Sequence, residues 1–336
     1  MNRSRVTIRD VASQAGVSRQ TVSRVINQTD NVAEDTRARV EAAIANLGYR
    51  PQVWAQSLAT GMTGLFACIV PNLTDYTFAS LVHGAELGAR AAGAFLLSAT
   101  ADNDKMFSGL IDELVMSGRV DGLLVINPFV DERYSYLPAD FPVVLAGARP
   151  RHGQWQSVAL NDEDVGYQAT KHLLALGHRQ IATVTGPLTE DCAQDRRYGY
   201  QQALQEAGIP LRADWLLTGD WSAASGYACW QRFGRSRELP TAVFAQNDQM
   251  AIGVLRAAYS QGIQIPQQLS IIGVDDIPMA AYATPALTTL RQDFHAIGQQ
   301  AMQLLIAQAQ NQHGQIVQKR LPAQLIVRES TAPIVF

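Results

Sequence analysis

Near the start of the chain, apolar residues recur at helical spacing in three short stretches. Thr7 followed by Asp10 resembles a capping box with Asp in the Glu place, which predicts a first helix running to about Ala15. "AGVS" then breaks it: Gly16 suits a tight turn, and Ser18 can accept a bond from an orphan backbone N–H at the start of the next helix. On that second helix Val22, Val25 and Ile26 share one face at i, i+3 and i+4 spacing, so Arg19, Gln20, Ser23, Arg24 and Asn27 are left facing outward. A third helix is predicted from about Glu34 to Leu47, with Gly48 as its stop.

From Leu65 onward the pattern changes. Short continuous apolar runs, "LFACIVP", "AFLLSAT", "VDGLLVINP", "FPVVLAG", "SVALN", "QIATVTG", "TAVFAQN" and "LSIIGVDD", alternate with helical segments. Strands apolar on both faces and separated by helices indicate parallel sheet covered on both sides, hence an α/β body. Polar residues close these runs: Asn72 and Asp75, Asn127, Asn161, Asp220 with Trp221, Asn247 with Asp248, and Asp275 with Asp276. Asn and Asp favour turns and caps, so each has a structural reading. Their repetition at strand ends predicts a ligand crevice, because open parallel sheets bind ligands beyond the carboxyl ends of their strands.

Charge separates the two regions. Residues 1–60 hold eight arginines, no lysine and five acidic residues, so this head is net +3 while the remainder of a chain of net charge −3 is net −6. A basic head on an acidic body suggests that the head alone approaches a polyanion; a solvated basic terminus is the plainer reading. With 336 residues, 47% hydrophobic and 17% charged, the chain is long enough for two or three domains and has the composition of a soluble globular protein. No membrane partner is expected, since no run approaches the roughly 20 apolar residues that span a bilayer. The polar opening "MNRSRVTIRD" lacks the apolar core of a secretory signal, which predicts a cytoplasmic protein. Cys68, Cys192 and Cys229 have no metal or redox spacing and read as reduced packing residues. No Walker loop, GxSxG or HExxH motif supports an enzyme, and no cofactor or metal is expected.

Exposed Arg and Gln at the start of the second helix of such a pair suit major-groove readout: Arg donates bidentately to guanine, and Gln pairs with adenine. Arg19, Gln20 and Arg24 are therefore candidate base readers, Ser18, Thr21 and Asn27 are candidates to hold the phosphates on either side, and Ser23 faces the DNA beside them.

"VTIRDVASQAGVSRQTVSRVIN" followed by "TRARVEAAIANLGYRP" resembles the headpiece of the lactose/galactose repressor (LacI/GalR) family. "GPLT", "GDWSAASGY", "QNDQMAIG" and "TPALTTLRQDF" extend the resemblance nearly to the C-terminus, where it lies nearest the lactose-repressor branch. The resemblance implies an all-α helix-turn-helix domain at 1–50, a hinge helix at 51–61 and a two-lobed, periplasmic-binding-protein-like α/β body at 62–336. Lobe one would span about 62–160 plus 292–322, and lobe two about 161–291 plus 323–330. In "RPQVWAQSLATG" the hinge would place Ala55 and Leu58 in the minor groove, with Leu58 as a wedge, whereas Trp54 departs from the family's small or polar residue.

Carried over residue by residue, Arg196, Trp221, Asn247, Asp275, Gln292 and Phe294 match effector-pocket positions, and Phe78 closes the pocket from the other lobe. Asp275 would accept hydroxyls, Arg196 and Asn247 would donate, and Trp221 would stack on a pyranose face, which implies a carbohydrate effector. Two departures qualify this. Ala146 and Gly147 stand where the lactose-repressor branch carries an Asp, so one hydroxyl acceptor is missing; Arg19–Gln20 replaces its Tyr–Gln reading pair, so the operator should differ. "RESTAPIVF" carries no leucine-heptad tail, which predicts a homodimer on a pseudo-palindromic duplex operator. A nucleobase or phosphorylated metabolite as effector, or a transport-type sugar-binding protein, are the alternative readings.

Overall fold

The computed structural model describes residues 6–26, 32–49, 62–147, 149, 155–233, 238–310 and 315–334. It divides into two compact units, Met1–Gly64 and Leu65–Phe336. Asn27, Ala55, Leu58 and the whole 51–61 hinge segment lie outside the described residues.

The first unit contains α1 (Ile8–Ala15), α2 (Arg19–Ile26) and α3 (Glu34–Leu47). Asp10 accepts from both the N–H and the hydroxyl of Thr7 at 2.8 Å, closing the first turn as the pattern predicts. Gly16 and Gly48 end their helices at φ 67° and 60°, a left-handed region where glycine meets no Cβ clash. Ser18 Oγ accepts from the N–H of Thr21 at 3.1 Å, opening α2. Val11, Val22 and Val40, one from each helix, are fully buried together with Val25 and Ala43. Burying each valine contributes about 1.5–3 kcal/mol, which is what holds three short helices together.

The second unit contains two six-stranded sheets. The first has the order β11 (Gln318–Leu321), β5 (Gln156–Leu160), β4 (Val143–Ala146), β3 (Leu123–Val125), β1 (Leu65–Val70), β2 (Phe95–Thr100). The second runs β12 (Gln324–Ile326), β10 (Thr288–Arg291), β9 (Ser270–Asp275), β8 (Ala242–Ala245), β6 (Ile181–Thr185), β7 (Leu216–Thr218). All neighbours are parallel except β10 and β12. The apolar runs read from the sequence form β1 to β6, β8 and β9, and the central strands are buried throughout because helices cover both faces. β2, at a sheet edge, leaves Phe95 65% exposed.

The chain passes between the sheets three times, after Leu160, after Arg291 and after Leu321. Helix α4 (Tyr76–Ala91) packs against α10 (Phe294–Ala309) on the first sheet's side, and α6 (Asp162–Ala175) against α7 (Asp191–Glu206) on the second's. These contacts need glycine: a Cβ at Gly84 would sit 2.2 Å from the carbonyl oxygen of His295, and one at Gly166 would sit 2.0 Å from that of Arg196. Helices α8 (Ala223–Phe233) and α9 (Asp248–Ser260) pair in the same way in the second lobe. No helix among the described residues is long and apolar enough to cross a membrane.

Candidate functional site

Beyond the carboxyl ends of both sheets lies a cavity of about 990 Å³, open solvent at its mouth included, which suits a small molecule. Of the seven effector positions read from the sequence, Phe78, Arg196, Trp221, Asn247, Asp275 and Phe294 line it. Gln292 does not: it sits on the second crossing, 5% exposed, with neither amide atom bonded among the described residues. The family resemblance implied it through the "RQDF" motif, of which Phe294, two residues on, does line the cavity.

Arg196, on α7, is buried. Its Nε donates to Asp162 Oδ1 at 2.7 Å and its Nη1 donates to the Gln246 carbonyl, so two of its five N–H donors and its charge are engaged before any ligand arrives. Its Cζ lies 5.9 Å from the Trp221 ring centroid. Trp221 is held at several points. The indole N–H donates to Glu190 Oε2 at 3.0 Å, the Trp221 carbonyl accepts from Asn247 Nδ2 at 2.9 Å, and the backbone adopts φ 71°, rare for a bulky residue. The ring covers Gly186, where a Cβ would sit 2.0 Å from Trp221 Cζ2. Such backbone strain at a bulky residue persists where its surroundings over-determine it, commonly at ligand sites.

Asn247 caps α9, accepting from the Met250 N–H at 2.9 Å. Both its amide atoms are thus engaged, leaving one N–H for a ligand, fewer than the donor role read from sequence assumes. Asp275 ends β9 at φ 107° and is 6% exposed; burial pushes its carboxyl well above the ordinary range, partly opposed by the Arg196 charge. Next to it, Asp276 accepts from Arg291 and Arg328 at 2.6 Å each, and Asp248 accepts the Ile277 N–H at 2.9 Å, fixing the turn that carries Asp275.

Several wall residues carried no distinguishing mark in the sequence. Glu190 lies before α7, 9% exposed, and burial lifts its carboxyl to about 7, the Trp221 hydrogen bond opposing the rise. Cys192, read as a packing residue, also lines the wall. Asn72 and Asp75 keep the structural roles their residue types suggest: Asn72 accepts from Thr74 and Asp75, while Asp75 caps α4. Both also face the cavity. Gly147, at φ 75°, lines the wall without a side-chain acceptor.

On the head, Ser18, Arg19, Gln20 and Arg24 are exposed, whereas Thr21 and Ser23 are half-buried.

Residues 7–52 match the family model "Bacterial regulatory proteins, lacI family", and residues 170–331 match "Periplasmic binding protein-like domain". The chain is 34% identical over 336 residues to the HTH-type transcriptional repressor PurR of Haemophilus influenzae (strain PittEE), covering 98% of this chain and 99% of that one. It belongs to the lacI family. This lacI-family chain is a DNA-binding transcriptional repressor with a two-lobed α/β body and a helix-turn-helix head. Among solved structures it resembles the lac repressor dimer bound to operator and the anti-inducer ONPF, with TM-score 0.90 and 32% identity over 98% of this chain and 100% of that one. It also resembles the CelR–cellobiose complex, with TM-score 0.75 and 31% identity over 97% of this chain and 100% of that one.

Proposed function

We propose that this lacI-family repressor is a homodimer whose operator affinity is controlled by an uncharged, flat heterocycle of the nucleobase class bound in the cleft. One observation carries the reading. Among the described residues lining the cavity, aromatic Phe78, Trp221 and Phe294 stand beside five carboxylates and a single cation, Arg196, which is already paired with Asp162. A phosphorylated metabolite would meet carboxylates without a free counter-charge, so that alternative is set aside. A neutral base stacks on indole and offers N–H donors to carboxylates. The relatives bearing the name PurR favour the same class over the carbohydrate expectation.

A glycoside remains the second reading. The similar CelR structure holds cellobiose, and Asp275 beside Trp221 suits a sugar's hydroxyls and apolar face. Against it, Gly147 supplies no hydroxyl acceptor from the first lobe.

On the DNA side, exposed Arg19, Gln20 and Arg24 read base edges in the major groove, and Ser18, Thr21 and Asn27 set the register on the backbone, with Ser23 beside them. Exposed Phe95 and Leu97 on edge strand β2, with Met279 and Tyr282 on the second lobe, supply apolar surface for a second copy. Two heads then require a pseudo-palindromic operator. Effector changes operator affinity by the difference in its affinity for the two states of the dimer. Thermal melts against nucleobases, mono- and disaccharides and sugar phosphates test the reading. A midpoint raised by a base and lost in Asp275→Ala supports it, and a rise with sugars alone replaces it by the glycoside.

A further inference from the structure

Lobe two has a second cavity, at the other end of its sheet. Its wall is built where β6 begins, where α7 ends and along the connection to β7, so the length of the strands separates it from the cleft. It measures about 850 Å³, open solvent at its mouth included, and Ile181, Leu204, Ile209 and Pro210 give it apolar sides. Most polar groups around it are matched. The Tyr200 hydroxyl donates to the Ile181 carbonyl at 2.7 Å, and Gln180 Nε2 donates to Glu238 Oε1 at 2.5 Å. Arg212 lies 3.9 Å over the centre of the Trp215 ring, its charge met by Asp214 at 2.8 Å and by Glu238. In the last turn of α7 the carbonyls of Leu204 and Gln205 accept from the N–H groups of Ile209 and Gly208.

Two groups of this wall are unmatched, and both are donors. Arg179 is exposed and has neither an ion pair nor a hydrogen bond among the described residues. Trp215 Nε1 is buried with no acceptor among them. Unmatched donors favour an occupant that brings acceptors and negative charge. A guanidinium takes a carboxylate bidentately, and one free guanidinium beside the C-terminal end of α7, where the helix dipole is negative, suits a single negative charge.

We infer that lobe two carries a second ligand site, for a small monocarboxylic acid with an apolar body. The carboxylate pairs with Arg179, and the body fills the space between Ile181, Leu204, Ile209 and Pro210. Nothing in this depends on which effector occupies the cleft. Helix α7 joins the two sites, since Arg196 in the cleft wall and Tyr200 in this one stand one turn apart.

Titration calorimetry of the full-length protein with benzoate, hexanoate, benzamide and acetate tests the inference. Five carboxylates line the cleft and disfavour an anion there, so binding of an acid reports the second site. Benzoate or hexanoate should bind saturably, at least about tenfold more tightly than uncharged benzamide and than acetate, which lacks the body. Arg179→Gln should weaken the bound acid at least about tenfold. Ala207→Phe, which sets a ring at an exposed position of the wall, should abolish its binding, and both variants should melt as the wild type does. No saturable binding of either acid up to about 1 mM would overturn the inference. So would benzamide binding as tightly as benzoate, affinity unmoved by Arg179→Gln or by Ala207→Phe, or acid binding abolished by Asp275→Ala, which would place the acid in the cleft.

Discussion

Arg149, on the segment after β4 of the first lobe, donates from Nη1 to Asp195 of α7 in the second lobe at 2.9 Å. The same guanidinium donates from Nε to Asp191 at 3.1 Å and from Nη2 to Gln194 at 3.2 Å, so one side chain grips a full turn of the opposite lobe. Two backbone bonds lie nearby, from the Val130 N–H to the Thr189 carbonyl at 2.7 Å and from the Asp191 N–H to the Pro128 carbonyl at 2.9 Å. Together they hold the lobes across the mouth of the cleft.

Replacing Arg149 therefore acts on closure rather than on either lobe's core. Arg149→Ala should weaken effector affinity several-fold, about 1 kcal/mol, because the clamp is partly exposed and screened. Calorimetry against the effector checks this; unchanged affinity would mean that the clamp plays no part in the ligand-binding arrangement.

The Arg196–Asp162 pair is buried on both sides, with side chains 6% and 8% exposed. Arg196→Leu leaves Asp162 uncompensated in the interior, and a broken pair of this kind costs about 3–5 kcal/mol. Urea denaturation of the variant should show a correspondingly lower midpoint. Arg196→Lys should rescue it only in part, since an ammonium lacks the fork that reaches Asp162 and the Gln246 carbonyl together.

Glu190 makes stability depend on pH. Its folded pKa of about 7 lies above the unfolded 4.5, so the folded state binds the proton more tightly. The stabilisation is fully present below 4.5 and is lost as pH rises through about 7, on the order of 3 kcal/mol in all. Melts of the wild type and of Glu190→Gln between these limits should differ in slope, the variant falling less steeply. Parallel curves would show that Glu190 ionises without penalty.

In the head, Arg24 is exposed on the outer face of α2. Arg24→Ala should lose about 1–3 kcal/mol of discrimination between operator variants and much less affinity for random duplex. Competition binding at fixed salt separates the two, and equal losses would assign Arg24 to the phosphates.

Local rules accounted for much of this. Gly16, Ser18 and Gly48 punctuate the head through their own backbone preferences, and fully buried parallel strands need the apolar runs that mark β1 and β9. Two strands without such runs, β11 and β7, went unread. β11 is "QKRL", exposed at a sheet edge, and β7 is three residues long, so neither needs a core pattern.

The sequence by itself determined the helix-turn-helix, the α/β body and the strand-end polar residues of the cleft wall, because helix caps, strand burial and strand-end polar residues are written in neighbouring positions; Phe78, Arg196 and Phe294 were legible only through the family resemblance. Tertiary structure decided the rest. Glu190 gains its role from Trp221, 31 positions away, and Arg149 from Asp191 and Asp195, 42 and 46 positions away. Gln292 drops out of the wall although its motif neighbour Phe294 remains. Burial, hydrogen-bond partners and shifted ionisation belong to pairs of residues brought together by the two sheets, and no spacing along the chain encodes which pairs will meet.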